Sequence, residues 1–183
     1  MSENLPNPPF AHLRLHTEFS INDGIVTIKP LIARLRENSM PAVAITDLAN
    51  MFSLIKFYTA SLKAGIKPVC GCDVLVESDD GSKQTRLVLL VKSEAGYLSL
   101  TKLISELYTE NPSQSEPTVC KSKLAGRVDG LIALSGAQNS DIGVALLADE
   151  KDLAKELLAE WQQLFPENFY LELQRVGKAE EED

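Results

Sequence analysis

The 183 residues are 44% hydrophobic and 24% charged, which is the composition of one folded domain and excludes a chain disordered throughout. Eighteen Lys and Arg against 26 Asp and Glu leave a formal net charge of -8, which argues against this chain gripping a phosphate backbone by itself. Three cysteines, Cys70, Cys72 and Cys120, make no disulfide framework, and without a second Cys or His pair they are read as small buried residues, not a zinc site.

Residues 1–9 lack the basic start and apolar core of a signal peptide, and no run approaches the ~20 apolar residues of a membrane span. The expectation is a cytoplasmic protein without membrane contact: a short tail over 1–9, then one domain over 10–183. From residue 10, short apolar runs alternate with amphipathic stretches, a βαβα rhythm that predicts an α/β fold with a parallel sheet wrapped by helices.

The span 10–17 reads as a first strand whose period of two puts His12, Arg14 and His16 on one face. Pro30 opens a helix with Leu31, Ile32 and Leu35 on its inner stripe, closed by Asn38 and Pro41 before a strand over 42–46. Asp47 stands at that strand's exit. A helix over 51–64 is expected to bury Leu54, Ile55, Tyr58 and Leu62 and to end at Gly65.

A strand over 68–76 follows, and the turn signal Asp79-Asp80-Gly81-Ser82 pairs its end with 86–91. The helix after Gly96 is expected to bury Tyr97, Leu100, Ile104 and Leu107, and 110–123, with Pro112 and Pro117, reads as a surface loop. Then come a strand over 130–134, a helix striped by Leu153, Leu157, Trp161, Leu164 and Phe165, and a strand over 169–174. Six strands without a closing partner look like an incomplete barrel. The acidic run after Gly177 looks like a first helical turn that the chain does not complete, as in a truncated protein.

In a parallel α/β barrel the chemistry gathers at the strand exits. Those exits hold His16, Asp47 and Asp73, a nitrogen and two carboxylates that suit a divalent metal. The same residues also suit structural work: Asp47 as a cap for backbone amides, His12 and His16 as hydrogen-bonded interior groups. The chain has no GxSxG elbow, phosphate loop, dinucleotide fingerprint or HExxH helix.

FAHLRLHTEFSINDG at 10–24, PAVAITDLANMFSLIKFY at 41–58 and GIKPVCGCDVLV at 65–76 closely resemble the start of bacterial DNA polymerase III alpha subunits. The likeness continues in order through LVLLVKSEAGYLSLTKLIS and GLIALSG to NFYLELQRVG. It implies a PHP domain, a distorted, TIM-barrel-like βα barrel truncated here before its last strands. In that family the barrel mouth can hold two or three metals, and members with intact sites are phosphoesterases.

By that resemblance the metal positions are largely lost. Arg14 stands where the first histidine of an HxH belongs, and a guanidinium offers no lone pair. Leu48 replaces the histidine of Thr-Asp-His, Arg86 a histidine on the LVLL strand, Ala137 a cysteine after LSG, and Val176 a further histidine. Only His16, Asp47 and Asp73, the last in place of a glutamate, survive, too few to hold two ions at fixed separation. No catalytic residue and no metal or other cofactor is therefore expected in this chain.

Arg14 and Arg86 are expected to compensate Asp47 and Asp73 in the metals' place, or to offer the mouth to a phosphate or nucleotide. The resemblance further implies that the parent polymerase works with magnesium in a palm domain that this chain lacks, and meets DNA through other domains. This domain becomes an inactive scaffold for the rest of the polymerase chain and for a proofreading exonuclease subunit. The alternative it leaves is a metal-dependent phosphoesterase or 3'-5' exonuclease with a reduced site that includes His12.

Overall fold

Ala42–Ile45, an apolar run entered from Pro41, forms β1 and lies parallel to the first part of β2 (Lys67–Glu77). The computed structural model describes residues 10–21, 23–79, 81–110, 117–174 and 177. The acidic end of the chain, Asp80 and Val176 lie outside the described residues.

β2 then turns back through the Asp79–Ser82 region into β3 (Gln84–Val91), and the two pair antiparallel from Gly71 with Leu90 to Glu77 with Gln84. This hairpin matches the sequence signal. β3 continues antiparallel to β5 (Leu131–Leu134), and β5 is parallel to β6 (Phe169–Tyr170). The sheet is therefore mixed, not the parallel one expected, with the order β1-β2-β3-β5-β6.

The span 110–123, read as loop, contains β4 (Thr118–Cys120), which lies parallel to the end of β2 on the edge that β1 occupies nearer its start. Residues 111–116 fall outside the described part. The expected first strand is also different. Residues 10–17 run beside β1 but meet it and the residue after it through separate contacts, Ala44 N–H to His12 O and Thr46 N–H to Leu15 O, with one isolated bridge, His12 to Val43, in place of a ladder. The sixth strand is shorter than predicted; beyond Tyr170 the chain leaves the ladder, with Glu172 N–H donating to Ser135 Oγ.

Among the described residues, five helices cover the sheet: α1 (Ile28–Glu37), α2 (Leu54–Lys63), α3 (Glu94–Glu110), α4 (Asp141–Leu147) and α5 (Lys151–Leu164). The period of two divides β3 cleanly. Leu87 and Leu89 join α3, α4 and α5 side chains, including Leu100, Ile142 and Trp161, in the main core, while Val88 and Leu90 pack with Ala44 and Leu134 on the opposite face. A second cluster joins β1 to α1 and α2 through Val43, Ile32, Leu35 and Phe57.

α3 begins at Glu94, ahead of Gly96, because that glycine lets the first turn press on the loop before β5. A Cβ at Gly96 would sit 1.9 Å from Gly130 O. Tyr97 consequently stays partly exposed and Leu103 takes an inner place. The stripe on α2 is corrected too: Leu54, Phe57 and Ser61 face inward, and Ile55, Tyr58 and Leu62 face solvent. α5 buries Ala154 and Trp161, with Phe165 just past its end, and Leu153 is more exposed than its place in the predicted stripe implied.

Candidate functional site

Register fixes the site's centre. Asp73 pairs with Val88 and Arg86 with Leu75, so Asp73 and Arg86 are diagonal neighbours on the sheet face away from α3 and α5. The segment beside β1 brings Arg14 and His16 over the same face. All three cations converge on one atom: Asp73 Oδ2 accepts from Arg14 Nη2 at 2.6 Å, Arg14 Nε at 3.1 Å and Arg86 Nη1 at 3.3 Å, and lies 2.9 Å from His16 Nε2. Gly136 holds the backbone close beneath Arg86, at a φ of +88° and with room for no Cβ against Arg86 O.

Two further carboxylates complete the cluster, and neither had been singled out in the sequence. Glu172 takes Arg14 Nη1 through both oxygens, at 3.2 and 3.3 Å, and Asp23 lies 3.1 Å from His16 Nδ1 and 3.0 Å from Arg86 Nη1. Three carboxylates thus face two guanidiniums and one imidazole, and a protonated His16 balances the cluster.

Both His16 nitrogens face carboxylates, so only the imidazolium can donate to each. Burial opposes that charge, but the Asp73 hydrogen bond and the charges of Asp73 and Asp23 prevail and hold the His16 pKa above its ordinary 6.5. For Asp73, burial pushes upward, and the contacts with His16, Arg14 and Arg86 outweigh it, so its pKa falls below the ordinary 3.8. Burial likewise opposes charge on Arg14, and Asp73 with Glu172 reverses the balance and raises its pKa.

The sign of the pH dependence follows. The His16 contribution is complete below about pH 6.5 and is lost as pH rises through the higher folded value, and the Asp73 contribution is present above about pH 3.8 and is lost as pH falls through the lower folded value. Thermal stability is therefore expected to peak in the mildly acidic range between these limits. A pH series of melting temperatures checks this, and His16→Gln is expected to flatten the alkaline side and, because His16 is also one of the groups that depress Asp73, to shallow the acid side as well.

Asp47 is elsewhere in chemical terms. It is buried at the end of β1, where Oδ1 accepts from Thr17 N at 2.6 Å, Thr17 Oγ1 at 2.8 Å and Ser20 Oγ at 2.8 Å, while Oδ2 accepts from Ser53 Oγ and Thr17 Oγ1. Neither arginine pairs with it, so the expected ion-pair compensation holds for Asp73 and not for Asp47. The carboxylate instead ties the 3-10 turn Glu18–Ser20 to the entry of α2. Ser20 Oγ in turn accepts from Leu48 N–H, and the Leu48 side chain offers no ligand atom.

His12 and Ala137 do not join the cluster. His12 is exposed and makes an edge-on contact with the Phe10 ring at 5.0 Å, so it shares a sequence parity with His16 but not a site. Ala137 lies in a short 3-10 turn, and Val176 is outside the described residues. Cys72 is fully buried and donates to Asp47 O, its thiol pushed well upward by burial and by Asp73 and Asp47, whereas Cys70 is only half-buried.

The residues do not fit a multi-metal cluster. Both nitrogens of His16 and both oxygens of Asp47 already have partners, and Arg14 fills the place nearest Asp73. Among the described residues, no group of three His, Cys, Asp or Glu side chains is placed to hold an ion. Within the cluster, Asp73 Oδ1 is buried and has no hydrogen-bond partner among the described residues. The arginines, each between two carboxylates, also leave little positive charge for a phosphate.

The PHP domain family matches residues 12–176. The chain belongs to that family. Among its relatives are the DNA polymerase III subunit alpha of Pseudomonas aeruginosa, 45% identical over 175 residues, and that of Escherichia coli K12, 38% identical over 179 residues. These matches cover 95% and 97% of this chain, which spans only 15% of either relative's length. A solved amidohydrolase from Chromobacterium violaceum is similar over 56% of this chain and 34% of its own, at 24% identity and a TM-score of 0.45. Among the described residues, no helix of this PHP domain is long and apolar enough to cross a membrane.

Proposed function

We propose that this chain is the N-terminal PHP domain of a bacterial replicative DNA polymerase, and that the domain itself is a noncatalytic scaffold, part of a distorted βα barrel. In this reading the parent extends DNA with magnesium held by a palm domain outside this chain. The PHP domain stabilises the polymerase and docks the proofreading exonuclease subunit. The observation that carries the noncatalytic part is the seat of Arg14: at the family's first histidine position it places two donors on Asp73 Oδ2, where a ligand set would need a lone pair.

Work done by metals in an intact PHP site falls here to charge pairing. Arg14 joins the N-terminal segment, β2 and the chain after β6 through Asp73 and Glu172, and Arg86 joins β3 to the turn carrying Asp23. Such a network holds geometry but supplies no activated water and no Lewis acid.

A second reading, a PHP phosphoesterase or 3'-5' exonuclease with a reduced site, draws on the unpartnered Asp73 Oδ1. Incubating the full-length protein with a nitrophenyl phosphate and zinc or manganese separates the two. The scaffold reading expects background hydrolysis, unchanged in His16→Ala, beside normal magnesium-dependent primer extension. Metal-dependent hydrolysis lost in His16→Ala would establish the second reading.

A further inference from the structure

The -8 charge of the chain is unevenly spread. From Ile25 through Cys72 the sequence holds six Lys and Arg against Glu37 and the buried Asp47, and from Leu48 through Cys72 three Lys and no acid. Net charge describes the whole surface, whereas one face can carry the opposite field.

α2 sorts its exposed side chains into two rows. At about 100° per residue, Lys56, Thr59 and Lys63 follow the edge toward α1, and Ile55, Tyr58 and Leu62 the neighbouring edge. The basic row borders a cleft of about 690 Å³ that Lys29, at the start of α1, also lines. The other row borders a cleft of about 410 Å³ between Tyr58 and Tyr97, which are 45% and 36% exposed. Two carboxylates stand at these clefts, Glu18 at the larger and Glu94 at the smaller.

Among the described residues, Lys121, Lys123, Lys151 and Lys155 all pair with carboxylates, whereas Lys29, Lys56 and Lys63 pair with none. Lys56 instead rests over the Phe19 ring, 5.0 Å from its centroid. Unpaired cations in one row and aromatic side chains in the next complement a nucleic acid strand with open bases, which offers phosphates along one edge and base faces along the other. A duplex hides its base faces and would leave the tyrosines without a partner.

The competing cover is the rest of the parent protein, because this chain spans only 15% of its relatives' length. Protein interfaces deplete lysine at their centres and pair the charges they bury. Three lysines without a carboxylate beside the exposed Ile55 therefore favour a polyanion, and the relatives are DNA polymerases.

We propose that the outer face of α2, with Lys29 of α1 and Tyr97 of α3, binds single-stranded DNA. The phosphates lie along Lys29, Lys56 and Lys63, and the bases lie against Tyr58 and Tyr97. This rests on the reading of the chain as a polymerase domain and deepens it: the scaffold also holds unpaired strand near the polymerase, as an auxiliary contact beside the main grip of other domains.

The test is acetylation footprinting of the full-length polymerase with and without a short oligo(dT), with lysine modification read by mass spectrometry. At about 0.05 M salt, modification of Lys29, Lys56 and Lys63 is expected to fall several-fold when the oligonucleotide is added, and the protection to vanish at about 0.5 M salt. Lys151 and Lys155, exposed and paired with carboxylates, should not change. In Tyr58→Ala with Tyr97→Ala, the oligonucleotide concentration that half-protects the three lysines is expected to rise about fivefold or more. Both tyrosines are partly exposed, so the melting temperature should stay near that of the wild type.

Equal reactivity of the three lysines with and without the oligonucleotide overturns the proposal. Lysines already unreactive without DNA assign the face to the rest of the parent and overturn it as well. Protection unchanged in the tyrosine variant, or equal with duplex DNA, overturns the single-strand assignment. Primer extension by the wild type, measured in parallel, keeps the two failures apart: extension without protection overturns this inference alone, and absence of extension overturns the polymerase reading beneath it.

Discussion

Asp73→Ala is expected to remove about 3–5 kcal/mol of folding stability, measured by urea denaturation of the full-length protein or of any shorter form that unfolds in one transition. The loss is large because the carboxylate is fully buried and holds three cationic groups on one oxygen. Its removal leaves Arg14 facing Glu172 alone and His16 facing Asp23 alone, with the sheet-side donors unpaired. A double-mutant cycle of Arg14→Ala with Asp73→Ala should show a coupling of about 1.5 kcal/mol or more. Were Asp73 a vacant metal ligand without a structural task, its removal would cost little in metal-free buffer and the coupling would vanish.

The second large effect is at Asp47, where Asp47→Ala is expected to cost about 3 kcal/mol under the same conditions. The reason differs from that at Asp73. Among the described residues no cation pairs with Asp47; it gathers one backbone N–H and three hydroxyls from Thr17, Ser20 and Ser53, groups with little access to water. Deleting the acceptor leaves several buried donors unsatisfied and frees the turn that carries Asp23 toward Arg86. Asp47→Asn keeps the shape and one acceptor oxygen, so it should cost less than Asp47→Ala. Equal stability of all three proteins in urea would show that this network has no structural role.

These two carboxylates also show how far the sequence could be read. Both stood out as strand-exit residues, and the likeness to polymerase alpha subunits marked them together with His16. Period-two reasoning brought Arg14 and His16 over the same face, and the Asp-Gly turn signal brought Arg86 beside Asp73 through the β2–β3 hairpin. It could not separate Asp47 from the arginines, because hydroxyls from a 3-10 turn and a helix entry satisfy Asp47, and serines and threonines carry no sequence signal of that task.

Glu172 and Asp23 were missed for related reasons. Glu172 sits in the alternating run after Phe169, where its parity with Tyr170 placed it on a face without saying which partner that face would meet. Asp23 follows a turn with Ile21 at positive φ, and such a turn redirects the chain in a way no periodicity records.

Fold elements with one strong apolar pattern were legible: β1, β3, β5 and the helix around Trp161 all lie where the sequence put them. α2 was placed correctly but turned to the wrong face, because its apolar residues fit two helical stripes, and burial of Phe57 chose between them. The segment 10–17 has a strand's alternation without a strand's ladder, since it meets β1 only through isolated contacts. β4 and α4 were hidden by shortness, with three and seven residues, and α4 carries Gly143 in its first turn.

The central claim is that charge pairing among Arg14, His16, Arg86, Asp23, Asp73 and Glu172 occupies the place that metals hold in intact PHP sites. Mass-spectrometric metal content of the full-length protein, purified without chelator, tests it most directly. The account predicts well under about 0.1 equivalent of zinc, manganese or iron attributable to the PHP domain, judged against an Asp73→Ala control. One equivalent or more, lost in that control, would contradict it and make the ion pairs a resting arrangement that a metal displaces.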